Sequence, residues 1–262
     1  MEPTSIPVLP TASVAAESDF IACTDLSNDI PSGKGPDDFT GPWSTRILTA
    51  TSTDGLLWTR TNSVLVDQAD APSILRDSSD RIWVYYMSWC EPVRNQMVVM
   101  FSDDLETWTY RRVYVDGMSP EWAGPADPSV VLLPDLSFRM YFTAQPPDDG
   151  PRRTFSAVSS DGLNFTLEPG TRFEAERHAL APNAFRAGDM WVYFAIDDGP
   201  PPSNYFAISS DGLNFQAQPN FTADSMFMTH GIEVPGGYRH YAFGLDPRDR
   251  APGIKSFSLL MG

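Results

Sequence analysis

The chain has 262 residues, of which 42% are hydrophobic and 20% charged, enough apolar material for a sizeable core and against wholesale disorder. Eighteen Lys and Arg stand against 34 Asp and Glu, a net charge of −16, and a field of that sign opposes nucleic acid and anionic membrane surfaces as partners. The longest unbroken apolar run, Met190 to Ile196, is far too short to span a bilayer. No basic start followed by an apolar stretch marks a secretion signal, so the compartment, secreted or cytoplasmic, stays open.

The 24 prolines and 18 glycines predict many turns, no stretch carries sustained 3.6-residue apolar spacing, and the chain reads as all-β. In chain order, Pro-containing openers begin at Leu9, Asp70, Asp127, Ala181 and, without the proline, His230. Each leads into an aromatic strand: Asp19-Phe-Ile-Ala-Cys-Thr, Ile82-Trp-Val-Tyr-Tyr-Met, Phe138-Arg-Met-Tyr-Phe-Thr, Met190-Trp-Val-Tyr-Phe-Ala and Arg239-His-Tyr-Ala-Phe-Gly. Four later segments repeat: Ser52-Thr-Asp-Gly-Leu-Leu-Trp, Ser102-Asp-Asp-Leu-Glu-Thr-Trp, Ser159-Ser-Asp-Gly-Leu-Asn-Phe and Ser209-Ser-Asp-Gly-Leu-Asn-Phe. Their serines are 50, 57 and 50 residues apart, and Asp-Gly between alternating stretches signals a tight hairpin.

Four strands per unit of this length is the grammar of a propeller blade. The reading is a single five-bladed β-propeller with four-stranded antiparallel blades over 10–60, 70–112, 126–168, 180–218 and 229–262. The fifth unit holds three strands, and the β-like Ser5-Ile-Pro-Val-Leu supplies the missing outer one, closing the ring. Residues 27–42 form one long Gly/Pro-rich insert in the first blade.

Strand direction sorts the polar residues. Opener starts, second-strand ends and third-strand starts share one face, and the Ser-x-Asp-Gly turns lie on the other, where they are structural. The shared face collects Asp70, Asp127 and His230 from the openers and Asp25, Trp89, Gln145, Asp197 and Asp246 from the second-strand ends. Third-strand starts add Arg46, Gln96, Arg153, Asn204 and Lys255, and Glu121 and His178 precede the third and fourth blades. So many charges round one opening are costly unless they serve a polar ligand or a cation. Each residue also has a structural reading: the aspartates as turn caps, the arginines as partners of neighbouring carboxylates, the tryptophan as core.

With these residues aligned, the chain resembles the propeller glycoside hydrolases of the arabinanase, xylosidase and levansucrase group, family 43 most of all. The resemblance rests on the blade count, the Ser-x-Asp-Gly-x-x-aromatic text, Asp127-Pro128 and His230-Gly231. It implies that Asp127 orients the acid and tunes its pKa, and that His230 lies near a channel cation, often calcium. The position of the family's general base reads Leu9-Pro10, and that of its general acid reads Leu180-Ala181-Pro182. Asp70 stands as a relocated base, with Glu121, Glu233 or Asp197 as acid.

Three functions compete: a hydrolase of a small sugar or polyhydroxylated substrate with Asp70, Asp127 and Glu121 as acid/base residues, a lyase, cyclase or isomerase, and a carbohydrate-binding propeller without turnover. One divalent cation, calcium by its taste for oxygen ligands, is the sole cofactor expected, with His230 beside it. No nucleotide or organic cofactor is expected, and the molecule is taken as a monomer with a small-molecule or carbohydrate partner. Cys23 and Cys90 read as two buried small hydrophobes, a bridge between them being possible but unsupported.

Overall fold

The computed structural model describes residues 17–23, 45–197, 199, 203–219, 227–234, 237–245 and 252–259. Among these there is no helix, and the strands form five sheets. The first pairs β1 (Arg46–Thr51) with β2 (Thr59–Asp67). The second is four-stranded: β3 (Ala69–Arg76), β4 (Ile82–Ser88), β5 (Gln96–Ser102) and β6 (Thr109–Arg112). The third contains β7 (Tyr114–Asp116), β8 (Ala123–Leu132), β9 (Phe138–Gln145), β10 (Arg153–Ser159) and β11 (Asn164–Leu167). The fourth runs β12 (Leu180–Ala187), β13 (Met190–Asp197), β14 (Ser203–Ser209) and β15 (Gln216–Ala217). The fifth holds β16 (Phe227–Val234), β17 (Gly237–Leu245) and β18 (Pro252–Leu259).

Sequential strands pair antiparallel within each sheet, as the short turns between them require. One strand departs from the expected pattern. β7 joins β11 in parallel, Phe165 opposite Val115, so the third sheet gains a fifth, outer strand from the chain that precedes it. The expected N-terminal closing strand and the insert at 27–42 lie outside the described residues. So do Asp25 and Asp246.

β4, β9 and β13 are buried almost end to end, which is why they read as unbroken apolar runs instead of alternating text. Each lies between neighbouring sheets. Trp83, Tyr85, Met87 and Val99 of the second sheet pack with Phe138, Met140, Phe142 and Phe155 of the third. Tyr141 of the third packs with Trp191, Tyr193 and Ala207 of the fourth. β3 lies against β8, β8 against β12 and β12 against β16, so the opening strands of four sheets follow one another.

Two repeated hydrogen bonds fix that succession. Tyr85 on β4 donates its hydroxyl to the Gly162 carbonyl in the next sheet at 2.9 Å, and Tyr141 on β9 donates to Gly212 at 2.8 Å. The opening strands repeat the device: Val130 N–H donates to Ser73 Oγ at 2.9 Å and Ala184 N–H to Ser129 Oγ at 3.1 Å. Buried bonds of this kind stabilise modestly when made and cost more when one partner is orphaned.

The Ser-x-Asp-Gly turns are structural, as their face implies. In all four, the serine hydroxyl donates to the aspartate Oδ1, which also accepts two following backbone N–H groups. Those backbone N–H bonds hold the Asp104 carboxyl down at about 2. Leu105 occupies the glycine's place in the second turn with φ 64°, a left-handed conformation uncommon for a leucine.

Two expectations are corrected here. Asp19–Cys23 is an irregular segment laid along the second sheet, with Asp19 N–H donating to Tyr110 O at 3.0 Å and Phe20 packed in that sheet's apolar cluster. Cys23 and Cys90 are joined in a disulfide across 67 residues, Cα atoms 6.2 Å apart. Asp67 N–H donates to the Cys23 carbonyl at 3.0 Å, and that pairing delivers Cys23 to the loop after β4.

Gly162 tests the tyrosine tie. A Cβ there would lie 2.8 Å from the Tyr85 hydroxyl and 3.1 Å from the Trp83 ring, on a backbone with φ +75°. Gly162→Ala is expected to lower the unfolding free energy by about 2–3 kcal/mol in urea titration, from backbone strain plus the displaced tyrosine. Gly170→Ala is the control: φ is +87° but a Cβ there would meet nothing nearer than an Arg172 guanidinium nitrogen at 3.4 Å, so its smaller loss isolates the strain.

Candidate functional site

Where β3 and β8 begin, the chain turns through a left-handed residue just before each proline: Ala71 (φ 49°), Asp127 (φ 55°) and, in β12, Ala181 (φ 47°). A bulge follows in each strand, between Asp70 and Ser73, Ala126 and Ser129, and Leu180 and Asn183. The equivalent residues are therefore Ala71, Asp127 and Ala181. Asp70 stands one place earlier, beside the counterpart of Asp127, not at it.

Asp70 and Asp127 nonetheless line one pocket of about 260 Å³, together with Met87, Trp89, Asn95, Thr143 and Arg152. Residues 123–126 form its floor, where Gly124 runs so close to β9 that a Cβ would meet the Thr143 carbonyl at 2.9 Å. Burial drives the Asp70 carboxyl up to about 6; the Trp89 indole opposes that shift and the charge of Asp127 adds to it. Burial also raises Asp127, against the Ala181 N–H that donates to its Oδ2 at 3.3 Å, the Thr143 hydroxyl and the charge of Arg152. The Trp89 N–H and Thr143 hydroxyl are buried beside these carboxyls without closing a full hydrogen bond.

Of the other predicted residues whose side chains are described, only Trp89 is among those lining this pocket. Arg46 pairs with Asp67, which is 1% exposed. Gln145 donates from Nε2 to Gly150 O at 2.8 Å and Arg153 pairs with Asp148 at 2.7 Å, stapling their own hairpin, and Arg153 also pairs with Glu174, beyond β11, at 3.4 Å. His178 Nδ1 accepts the Arg152 backbone N–H at 2.8 Å. Asn204 sits on β14 opposite Ile196. His230 lies on β16 opposite Tyr241 and Lys255 on β18 opposite Ala242; their side chains are outside the description.

Two acid candidates are removed. Glu121 is exposed in the turn before β8 and is not among the pocket residues. Burial pushes Asp197 up, but Arg177, the Gly199 N–H and Ser203 outweigh it and hold the carboxyl below its usual range, which unsuits it as a proton donor. Among the described residues no group of three or more His, Cys, Asp and Glu gathers as a cation site; Asp25 and the His230 side chain, on which the calcium expectation rests, lie outside them.

Arg152, Asn95 and Thr143 are pocket residues that the sequence reading passed over in favour of Arg153, Gln96 and Gln145. In two of the three the error is one residue at a strand start, and side chains of successive strand residues point to opposite faces.

No family model and no curated protein matches the sequence. Solved structures do match. A family 43, subfamily 12, protein retrieved from a capybara gut metagenome aligns at TM-score 0.61 and 14% identity, over 82% of this chain and 48% of that one. A Dyadobacter fermentans protein of unknown function aligns at 0.60 and 15% identity, over 82% and 68%. The Bombyx mori family 32 β-fructofuranosidase aligns at 0.57 and 15% identity, over 74% and 46%. The chain thus spans about half the length of two of these three. It has the propeller fold of the family 43 and family 32 glycoside hydrolases.

The raised Asp70 makes a stability prediction. A carboxyl whose folded pKa lies above its unfolded value of 3.8 binds its proton more tightly when folded, so its contribution is present below pH 4 and lost as pH rises through 6. At roughly 1.4 kcal/mol per pKa unit, Asp70→Asn is expected to raise the unfolding free energy at pH 8 by about 3 kcal/mol. Urea titrations of both proteins across pH 3–8 should show the difference vanish at the acid end.

Proposed function

We propose that the five sheets are the blades of a closed five-bladed propeller, and that the pocket at the start of β3 and β8 is the acid/base site of a carbohydrate-active hydrolase. The observation that carries this is the meeting of two desolvated carboxyls, Asp70 and Asp127, in one pocket the size of a small ligand. The fold of the structural neighbours supports the carbohydrate side of the reading.

The roles differ from those drawn at the level of sequence. Asp70 is the proton donor, because a carboxyl raised to about 6 keeps a protonated fraction close to neutrality. It gives that proton to the departing glycosidic oxygen as the bond to the anomeric carbon breaks. Asp127 is the acceptor: the Ala181 N–H, Thr143 and Arg152 all favour its charged form against the burial that raises it. It takes a proton from the water whose oxygen bonds to the anomeric carbon, so two protons move and none is left over.

Ala181 favours a second reading. It stands where the family resemblance puts the general acid, its side chain is a methyl group, and its N–H is spent on Asp127. A pocket that binds a sugar without cleaving it fits that substitution.

Turnover of chromogenic arabinosides, xylosides, fructosides and galactosides decides between the two. Hydrolysis is expected, with rate falling as pH rises above about 6. Asp70→Asn and Asp127→Asn should each lower kcat about 10²-fold or more. The Asp70→Asn loss should shrink on substrates whose leaving group needs no proton, whereas that of Asp127→Asn should not. Full activity in both variants ends the hydrolase reading, and ligand-induced thermal stabilisation with no product establishes the binding one.

A further inference from the structure

Arg152 stands apart from the protein's other arginines. Every other arginine whose side chain is described has a hydrogen bond or ion pair: Arg46 with Asp67, Arg139 with Glu168 and Arg177 with Asp197 among them. The Arg152 guanidinium has none among the described residues, and its charge reaches Asp127 only through space. In a chain of net charge −16, with carboxylates spread along it, an unpaired cation at the rim of a pocket is conspicuous.

Its backbone, by contrast, is fixed at both ends of the residue. His178 Nδ1 accepts the Arg152 N–H at 2.8 Å, and the Ala179 N–H donates to the Arg152 carbonyl at 3.1 Å. Two residues on, Thr154 exchanges further backbone bonds with Phe173 and Arg172. The residue is thus anchored where its side chain meets the pocket. Deeper in, Thr143 is 1% exposed and lines the same pocket, and its hydroxyl, beside Asp127, closes no full hydrogen bond. A buried polar atom in that state costs free energy unless a ligand or water completes it.

We propose that Arg152 is an anion subsite, held in place by His178, and that the ligand is a single-ring sugar carrying a carboxylate: a hexuronate. This rests on the carbohydrate reading of the pocket given above. The volume of about 260 Å³ is below that of pockets for drug-sized ligands, which sets the size at one ring. A guanidinium matches the planar carboxylate with two parallel hydrogen bonds, and it offsets the repulsion that Asp70 and Asp127 impose on an anionic guest. The ring hydroxyls then face the carboxyls and Thr143.

The test is calorimetric titration of the whole chain at about pH 7.5 with galacturonate and glucuronate, and with galactose and glucose as neutral counterparts. Wild type should prefer a hexuronate by about ten-fold, the equivalent of one charge-assisted bidentate contact. Arg152→Gln should bring that ratio close to one, and Arg152→Lys should leave it between the two. His178→Ala should reduce the ratio and His178→Asn, whose amide oxygen also accepts the Arg152 N–H, should restore it; a merely structural histidine would lower stability without moving the ratio. Neutral sugars bound as tightly as hexuronates, with a ratio that Arg152→Gln leaves unchanged, would overturn the anion subsite while sparing the carbohydrate pocket. Failure of every sugar to bind overturns both.

Discussion

Neighbouring sheets in this protein are registered by side chains that cross the gap between them. The hydroxyls of Tyr85 and Tyr141 reach the carbonyls of Gly162 and Gly212, and the hydroxyls of Ser73 and Ser129 receive the amides of Val130 and Ala184. Apolar packing alone is non-directional and would let the sheets slide. Two directional bonds, one on the second strand and one on the first, fix both the spacing and the height of the second sheet against the third and of the third against the fourth. The turn glycines follow from this, since a Cβ at Gly162 or Gly212 would sit on the tyrosine oxygen.

The pocket is a product of the same registration. Once β3 and β8 are locked side by side, the chain entering each has to turn sharply, and it does so through a left-handed residue and a bulge. Those distortions withdraw Asp70 and Asp127 from water together, and the loss of solvation raises both carboxyls. The strain of the openers and the chemistry of the site thus have one origin.

Much of this was legible in the sequence. The repeating serine, aspartate and glycine text gave the turns because each residue has a local task, and the buried second strands announced themselves as apolar runs. Asp70 and Asp127 were legible because strand direction sorts residues by face without any knowledge of packing. What failed was the register at the strand starts. Arg152 and Arg153 differ by one position, yet one lines the pocket and the other ties down Asp148, and nothing local says where a strand's first pleat falls. β7 was invisible for a different reason: three residues that pair with a later strand carry no periodicity of their own. The cysteines failed because their partnership depends on the irregular path of residues 17–23, which was expected to be a strand.

The bridge itself reaches further than its two residues. Cys90 directly follows Trp89, and Cys23 hangs from the end of β2 through the Asp67 amide. The wall of the hollow that presents the indole is therefore moored covalently to a stretch of chain 67 positions upstream. The part of the lining at Arg152 is held by backbone hydrogen bonds to His178 and Ala179. On the proposed reading of the pocket, adaptation to guests of different shape falls to that unbridged side, while the tryptophan keeps its station.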